Sequence, residues 1–126
     1  MTSPASLKIK IQLYCADEIA MGPGKADLLD AIREHGSISA AGRSLHMSYR
    51  RAWLLVDTMN RCWQEALVET TPGSARGGGA RVTSLGESVL LHYRSLQERV
   101  TGASDCVDSK ALADAMLSTP KASQKT

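Results

Sequence analysis

The stretch that decides the fold is residues 36–63, GSISAAGRSLHMSYRRAWLLVDTMNRCW. It reads as two short helices, each entered through a serine and separated by a tight turn. Ser39 is a natural N-cap for the first, because a seryl oxygen satisfies an N–H that a helix start leaves without a partner. Ala40 and Ala41 favour helix and leave room for a second helix to approach. Gly42 costs about 1 kcal/mol relative to alanine, and is tolerated where two helices cross with no space for a methyl. Ile38 and Leu45 are the apolar anchors. His46-Met47 is the turn, where one residue needs positive φ, and histidine accepts that better than most non-glycine residues. Ser48 then caps the second helix.

On that second helix, Tyr49, Ala52, Val56, Met59 and Trp63 fall on one stripe, which the spacing predicts to be buried. Arg50, Leu54, Asp57, Thr58 and Arg61 face the other way, with Asp57 and Arg61 at ion-pair spacing. Arg50 and Arg51 have leucines, not acids, four residues on, so both guanidiniums are left for phosphate or guanine. A helix whose first turn presents paired guanidiniums and hydroxyls has what reading base edges in a major groove requires.

Downstream, Leu67 to Thr71 reads as a short strand, Pro72 to Gly79 as a turn, and Ala80 to Thr83 as the return strand. A hairpin directly after a recognition helix is a wing. Gly77, Gly78 and Gly79 permit close backbone approach to a phosphate chain or a minor-groove floor. Arg76 and Arg81 add positive charge, with no acid between Thr70 and Thr83. No Walker lysine follows the glycines and no strand–GxGxxG–helix context surrounds them, which argues against nucleotide binding.

With GKADLLDAI ahead of it and the SISAA, MSYRRAW and GGGARVT segments in order, the chain from about Leu7 to Val100 resembles the winged helix-turn-helix domain of the ModE family of molybdate-responsive regulators. It is also similar in style to the DNA-binding domain of LysR-type regulators. The resemblance implies recognition contacts from Ser48 to Trp53 and wing contacts from Gly73 to Arg81. His46 stands where that family usually has glycine, which implies some strain in the turn. Only 26 residues follow Val100, too few for the C-terminal molybdate-binding domain of such regulators, so molybdate sensing is not expected of this chain.

The expected fold is mainly α (α+β): a winged helix-turn-helix with a small antiparallel sheet and a long C-terminal dimerisation helix. Leu7 to Tyr14 alternates apolar and polar, predicting a strand that pairs with the wing hairpin. Ile19 to Gly24 reads as a turn, and Lys25 to His35 as a helix burying Leu28, Leu29 and Ile32, stopped by Gly36. Ser84, with Glu87 three residues later, reads as a capping box. The helix it opens carries more apolar length than so small a core needs. That predicts a homodimer interface at Leu85, Val89, Tyr93, Leu96 and Val100, as the equivalent helix forms in the resembled family. The domain expectation is a flexible 1–6, a DNA-binding domain over 7–101 whose dimerisation helix spans 84–101, and a tail over 102–126. Within the tail, 107–117 reads as a short helix and 118–126 as disordered.

Formal net charge is only +2, but its distribution is uneven: residues 36–83 carry six basic and three acidic groups, and the two flanks carry no surplus. A local basic stripe is the footprint of a nucleic-acid binder. Cys15, Cys62 and Cys106 are odd in number, widely spaced and without a CxxC pair, as reduced cytoplasmic thiols would be. No signal-peptide or membrane-length apolar run is present, and the scattered His35, His46 and His92 make neither a metal set nor a catalytic one. The expectation is therefore a cytoplasmic regulator binding double-stranded DNA, with no catalytic residues, metal or cofactor. Ser39, Ser48, Tyr49, Arg50, Arg51 and Trp53 would make the helix contacts, and Arg76, Gly77, Gly78, Gly79 and Arg81 the wing contacts. The competing readings are a winged-helix protein-interaction module and an oxyanion-responsive regulator.

Overall fold

A computed structural model describes residues 6–71 and 78–125. Two units emerge, one from Lys10 to Ser95, the other from the residues up to Ile9 together with those from Leu96 onward. The larger unit begins with a hairpin of β1 (Leu13–Cys15) and β2 (Glu18–Met21). Three helices follow: α1 (Pro23–His35), α2 (Ile38–Ser44) and α3 (Tyr49–Cys62). A second hairpin, β3 (Val68–Thr70) and β4 (Ala80–Val82), leads into α4 (Ser84–Ala103). The architecture is the expected winged helix-turn-helix. Its core is sealed by Met21, Leu28, Leu29, Ile32, Val56, Met59 and Leu67.

The sheet arrangement differs from expectation. Among the described residues there are two separate two-stranded sheets, and the N-terminal strand does not join the wing. Strand structure among the described residues starts at Leu13, and β1 folds back on β2 with Cys15 opposite Glu18. The reversal is made by Ala16, held at φ 54°, and Asp17. So short a loop closes at less entropic cost than a pairing with the distant wing. The segment expected as a turn over Ile19 to Gly24 is instead the rest of β2 and the start of α1. Pro23 opens that helix, where a missing N–H loses nothing. At its other end Gly36, at φ 75°, stops α1 as expected, its N–H donating to the Ile32 carbonyl at 2.8 Å.

The cap of α4 is Thr83 rather than Ser84. The Thr83 hydroxyl accepts from the Gly86 N–H at 3.0 Å and donates to the Ala66 carbonyl at 2.7 Å. Glu87 makes no capping box but pairs with Arg33 at 3.1 Å. Farther along, Arg94 bridges Asp27 and Asp30 at 2.9 and 2.7 Å, tying α4 to α1. Tyr93 is only 2 % exposed, and its hydroxyl donates to the Ile11 carbonyl at 2.7 Å. It belongs to the chain's own core and offers no surface to a second copy. Leu85 and Val89 are half-buried against that same core.

Arg61 makes the expected pair with Asp57 at 2.9 Å and a second, unexpected one with Glu18 at 2.7 Å. The latter holds α3 to β2, and the guanidinium keeps the Glu18 carboxyl below its ordinary range. The same edge brings together two thiols far apart in sequence, Cys15 and Cys62, and burial pushes the Cys62 thiol up.

In the smaller unit, α5 (Val107–Ala115) stops two residues short of the expected 117 and buries none of its residues. Leu96 is exposed and Val100 half-buried. No helix among the described residues is long and apolar enough to cross a membrane. No group of three or more His, Cys, Asp or Glu side chains gathers as a metal site among them either.

The tightest packing lies beneath the wing. A Cβ on Gly86 would collide with the Leu67 carbonyl oxygen and lie 2.6 Å from Val82 Cγ1, with backbone on one side and a buried strand on the other. Gly86→Ala is expected to destabilise the fold by about 3 kcal/mol, read as a lower urea midpoint at unchanged slope.

Candidate nucleic-acid interface

The site is built from the turn between α2 and α3. Helix α2 starts two residues earlier than the sequence implied. Ser37, with extended backbone, is the cap, its Oγ accepting from the Ala40 N–H at 3.0 Å. Ser39 is thereby free for another task and accepts from Arg43 Nη1 at 2.8 Å, one turn along the helix. His46 takes the positive φ, at 59°, that the turn requires. Gly42 sits at the crossing: a Cβ there would lie 3.1 Å from Ala52 Cβ, so the glycine sets how closely α3 approaches. Ser48 caps α3 as expected, accepting from the Arg51 N–H at 3.1 Å.

Along α3, Ala52, Val56 and Met59 are buried as the periodicity predicts. Tyr49 is not; it is 59 % exposed. The crossing with α2 is centred on Ala52, nearly one turn later, so Tyr49 overhangs it. Its ring meets that of Trp53 edge-on, with centroids 6.1 Å apart and planes at 74°. Trp63, at the other end of the stripe, is half-buried and donates from Nε1 to the Ala20 carbonyl at 3.1 Å. Arg50 and Arg51 are exposed, and neither has an acidic partner among the described residues. The Lys25 ammonium is pushed down chiefly by burial, and the positive charge of Arg51 acts in the same direction.

Between α2, α3 and the base of the wing lies an open groove of about 540 Å³, with Ser39, Arg43, Tyr49, Trp53, Thr71 and Gly79 among its lining. No acidic side chain lines it among the described residues. Two contacts fix the wing as one wall of this groove. The Ala80 N–H donates to the Gly36 carbonyl at 2.8 Å, joining β4 to the end of α1. The Asn60 amide clamps β3 to α3: its Oδ1 accepts from the N–H groups of Leu67 and Val68 at 2.9 and 3.1 Å, and its Nδ2 donates to the Val68 carbonyl at 3.0 Å.

The wing strands pair as expected, Val68 opposite Val82 and Thr70 opposite Ala80. Arg81, counted from sequence as free charge, lies opposite Glu69 and forms an ion pair with it. The acid stands one residue outside the interval from Thr70 that had been free of acids. Gly78 is exposed and Gly79 half-buried, while Arg76 and Gly77 lie outside the described residues. Sequence reasoning missed two residues. Arg43 had a signal in its four-residue spacing from Ser39. Asn60 had none, since its role depends on where the wing strand returns.

No protein-family model matches the chain. It is 39 % identical over 93 residues to the molybdenum-pterin-binding protein MopA of Rhodobacter capsulatus, an alignment covering 74 % of this chain and 35 % of that protein. It is 31 % identical over 91 residues to the DNA-binding transcriptional dual regulator ModE of Escherichia coli (strain K12), covering 72 % of this chain and 35 % of that one. The chain thus spans about a third of the length of the curated relatives it matches. Among solved structures, the crystal structure of the CbnR_DBD–DNA complex superposes with a TM-score of 0.52 at 24 % identity, covering 71 % of this chain and 95 % of that one. The relatives are those that the sequence resemblance named, and the fold is that of a winged-helix domain.

Asn60→Ala should cost about 2–3 kcal/mol, because it leaves the Leu67 and Val68 N–H groups without their acceptor near a sealed core. Urea unfolding measures the loss, and amide exchange should show the two strand N–H groups losing protection first.

Proposed function

We propose that this chain is the DNA-binding part of a transcriptional regulator, working as a homodimer in the cytoplasm without catalysing a reaction. The observation that carries the reading is the set of three guanidiniums around the capped start of α3. Those of Arg43, Arg50 and Arg51 have no acidic partner among the described residues. The relatives, a DNA-binding transcriptional regulator among them, support it.

In this reading α3 enters the major groove. Arg50 contacts a base edge, Arg51 and the Ser39-oriented Arg43 hold phosphates, and Ser48, Tyr49 and Trp53 seat the helix. The wing, through Arg76 and the Gly77–Gly79 backbone, follows the flanking strand. Arg81 adds less than its charge suggests, because Glu69 already neutralises it. A second copy docks along α4 at Leu96 and Val100, with Leu85 and Val89 at the margin. Twofold symmetry then implies a palindromic site with half-sites about 34 Å apart or a multiple of that.

Arg50→Ala should cost about 1–3 kcal/mol of binding and relax base preference at one position. The double variant Arg50→Ala/Arg51→Ala should bind duplex DNA far more weakly, with a shallower dependence of log K on log salt. Fluorescence anisotropy with genomic fragments at several salt concentrations measures both. Unchanged affinity in the double variant would contradict the assignment of α3.

A further inference from the structure

The outer face of α3 is not only basic. Tyr49 is 59 %, Trp53 38 % and Leu54 55 % exposed, three large apolar side chains on the first two turns of one helix. The inner face of that helix is already filled by Ala52, Val56 and Met59, so these three are not spare core residues. At 100° per residue Arg50 falls between Trp53 and Leu54 around the helix. The first acid on α3 is Asp57, which is held by Arg61. The hydroxyl of Tyr49 and the indole N–H of Trp53 make no hydrogen bond among the described residues; their rings touch each other. The cap at Ser48 and the close crossing at Gly42 fix where this face points.

Resting on the DNA reading above, we infer that Tyr49, Trp53 and Leu54 form an apolar reading face for thymine, recognising its C5-methyl group. The base edges of the major groove present hydrogen-bonding groups and one apolar group, the thymine methyl. Three exposed apolar side chains have no other complement there. Arg50, set among them, is the polar reader, suited to a guanine or to the acceptor atoms beside a methyl. The unpaired guanidiniums of Arg43, Arg50 and Arg51 around the patch favour a polyanion over a protein partner, whose docking would bury them without counter-charge. The face therefore selects thymine-bearing steps and rejects cytosine in the same places.

The test uses the full chain and a random-sequence duplex pool. Retained sequences are resynthesised with each thymine replaced singly by deoxyuridine, which removes the methyl and keeps the base pairing. At one or more positions in each half-site, deoxyuridine should weaken binding by about three- to fivefold per methyl. Trp53→Ala and Leu54→Ala, both at exposed positions and checked for unchanged helicity, should bind thymine and deoxyuridine alike at those positions. Retained duplexes bound equally well with deoxyuridine at every position would overturn this inference and leave the DNA reading standing. So would variants that keep the full discrimination of the original chain. Retention of no duplex at all would overturn both.

Discussion

The place of the wing beside α3 depends on the Asn60 side chain. One amide saturates two strand N–H groups and one carbonyl, at 2.9 to 3.1 Å, and so fixes the wing to the helix beside it. The strand residues it holds, Leu67 and Val68, are buried, so the polar groups satisfied there have little water to replace the amide. From that point the rest follows in sequence. Leu67 presents its carbonyl to the start of α4, Gly86 lets α4 come flush, and Thr83 caps it while holding Ala66. Hydrogen bonds therefore hold the wing strands that wall the groove beside α3.

The charges are sorted around that frame. Among the described arginines of the larger unit, Arg33, Arg61, Arg81 and Arg94 each meet a carboxylate. Arg43, Arg50 and Arg51 do not, and all three lie at the turn between α2 and α3. Exposed ion pairs contribute little to stability individually. Their consequence here is positional: they neutralise the guanidiniums elsewhere in the unit and leave positive charge at one edge. A modest net charge of +2 is compatible with a basic stripe for this reason.

The helix-turn-helix was legible because its signals are local. Ser48, His46, Gly42 and Gly36 each have a conformational or steric reason tied to immediate neighbours, and each behaves as the sequence implied. Misreadings arose where two local solutions compete or where the partner is remote. Ser37 and Ser39 are both plausible caps, and only the extended backbone at Ser37 separates them. Thr83 displaced Ser84 because its hydroxyl also reaches Ala66. The β1–β2 reversal carries no glycine or asparagine, since Ala16 itself takes the left-handed conformation. Tyr93 has the spacing of an interface residue, and its burial depends on a carbonyl at Ile11, far away in sequence.

The most direct measurement is a ¹H–¹⁵N spectrum of the chain titrated with a mixed-sequence DNA duplex at low salt. The account predicts that the amides perturbed first are those of Arg43, of Ser48 through Leu54, and of the wing between Thr70 and Arg81. Perturbation confined to the β1–β2 hairpin or to α5, or no perturbation at all, would contradict it.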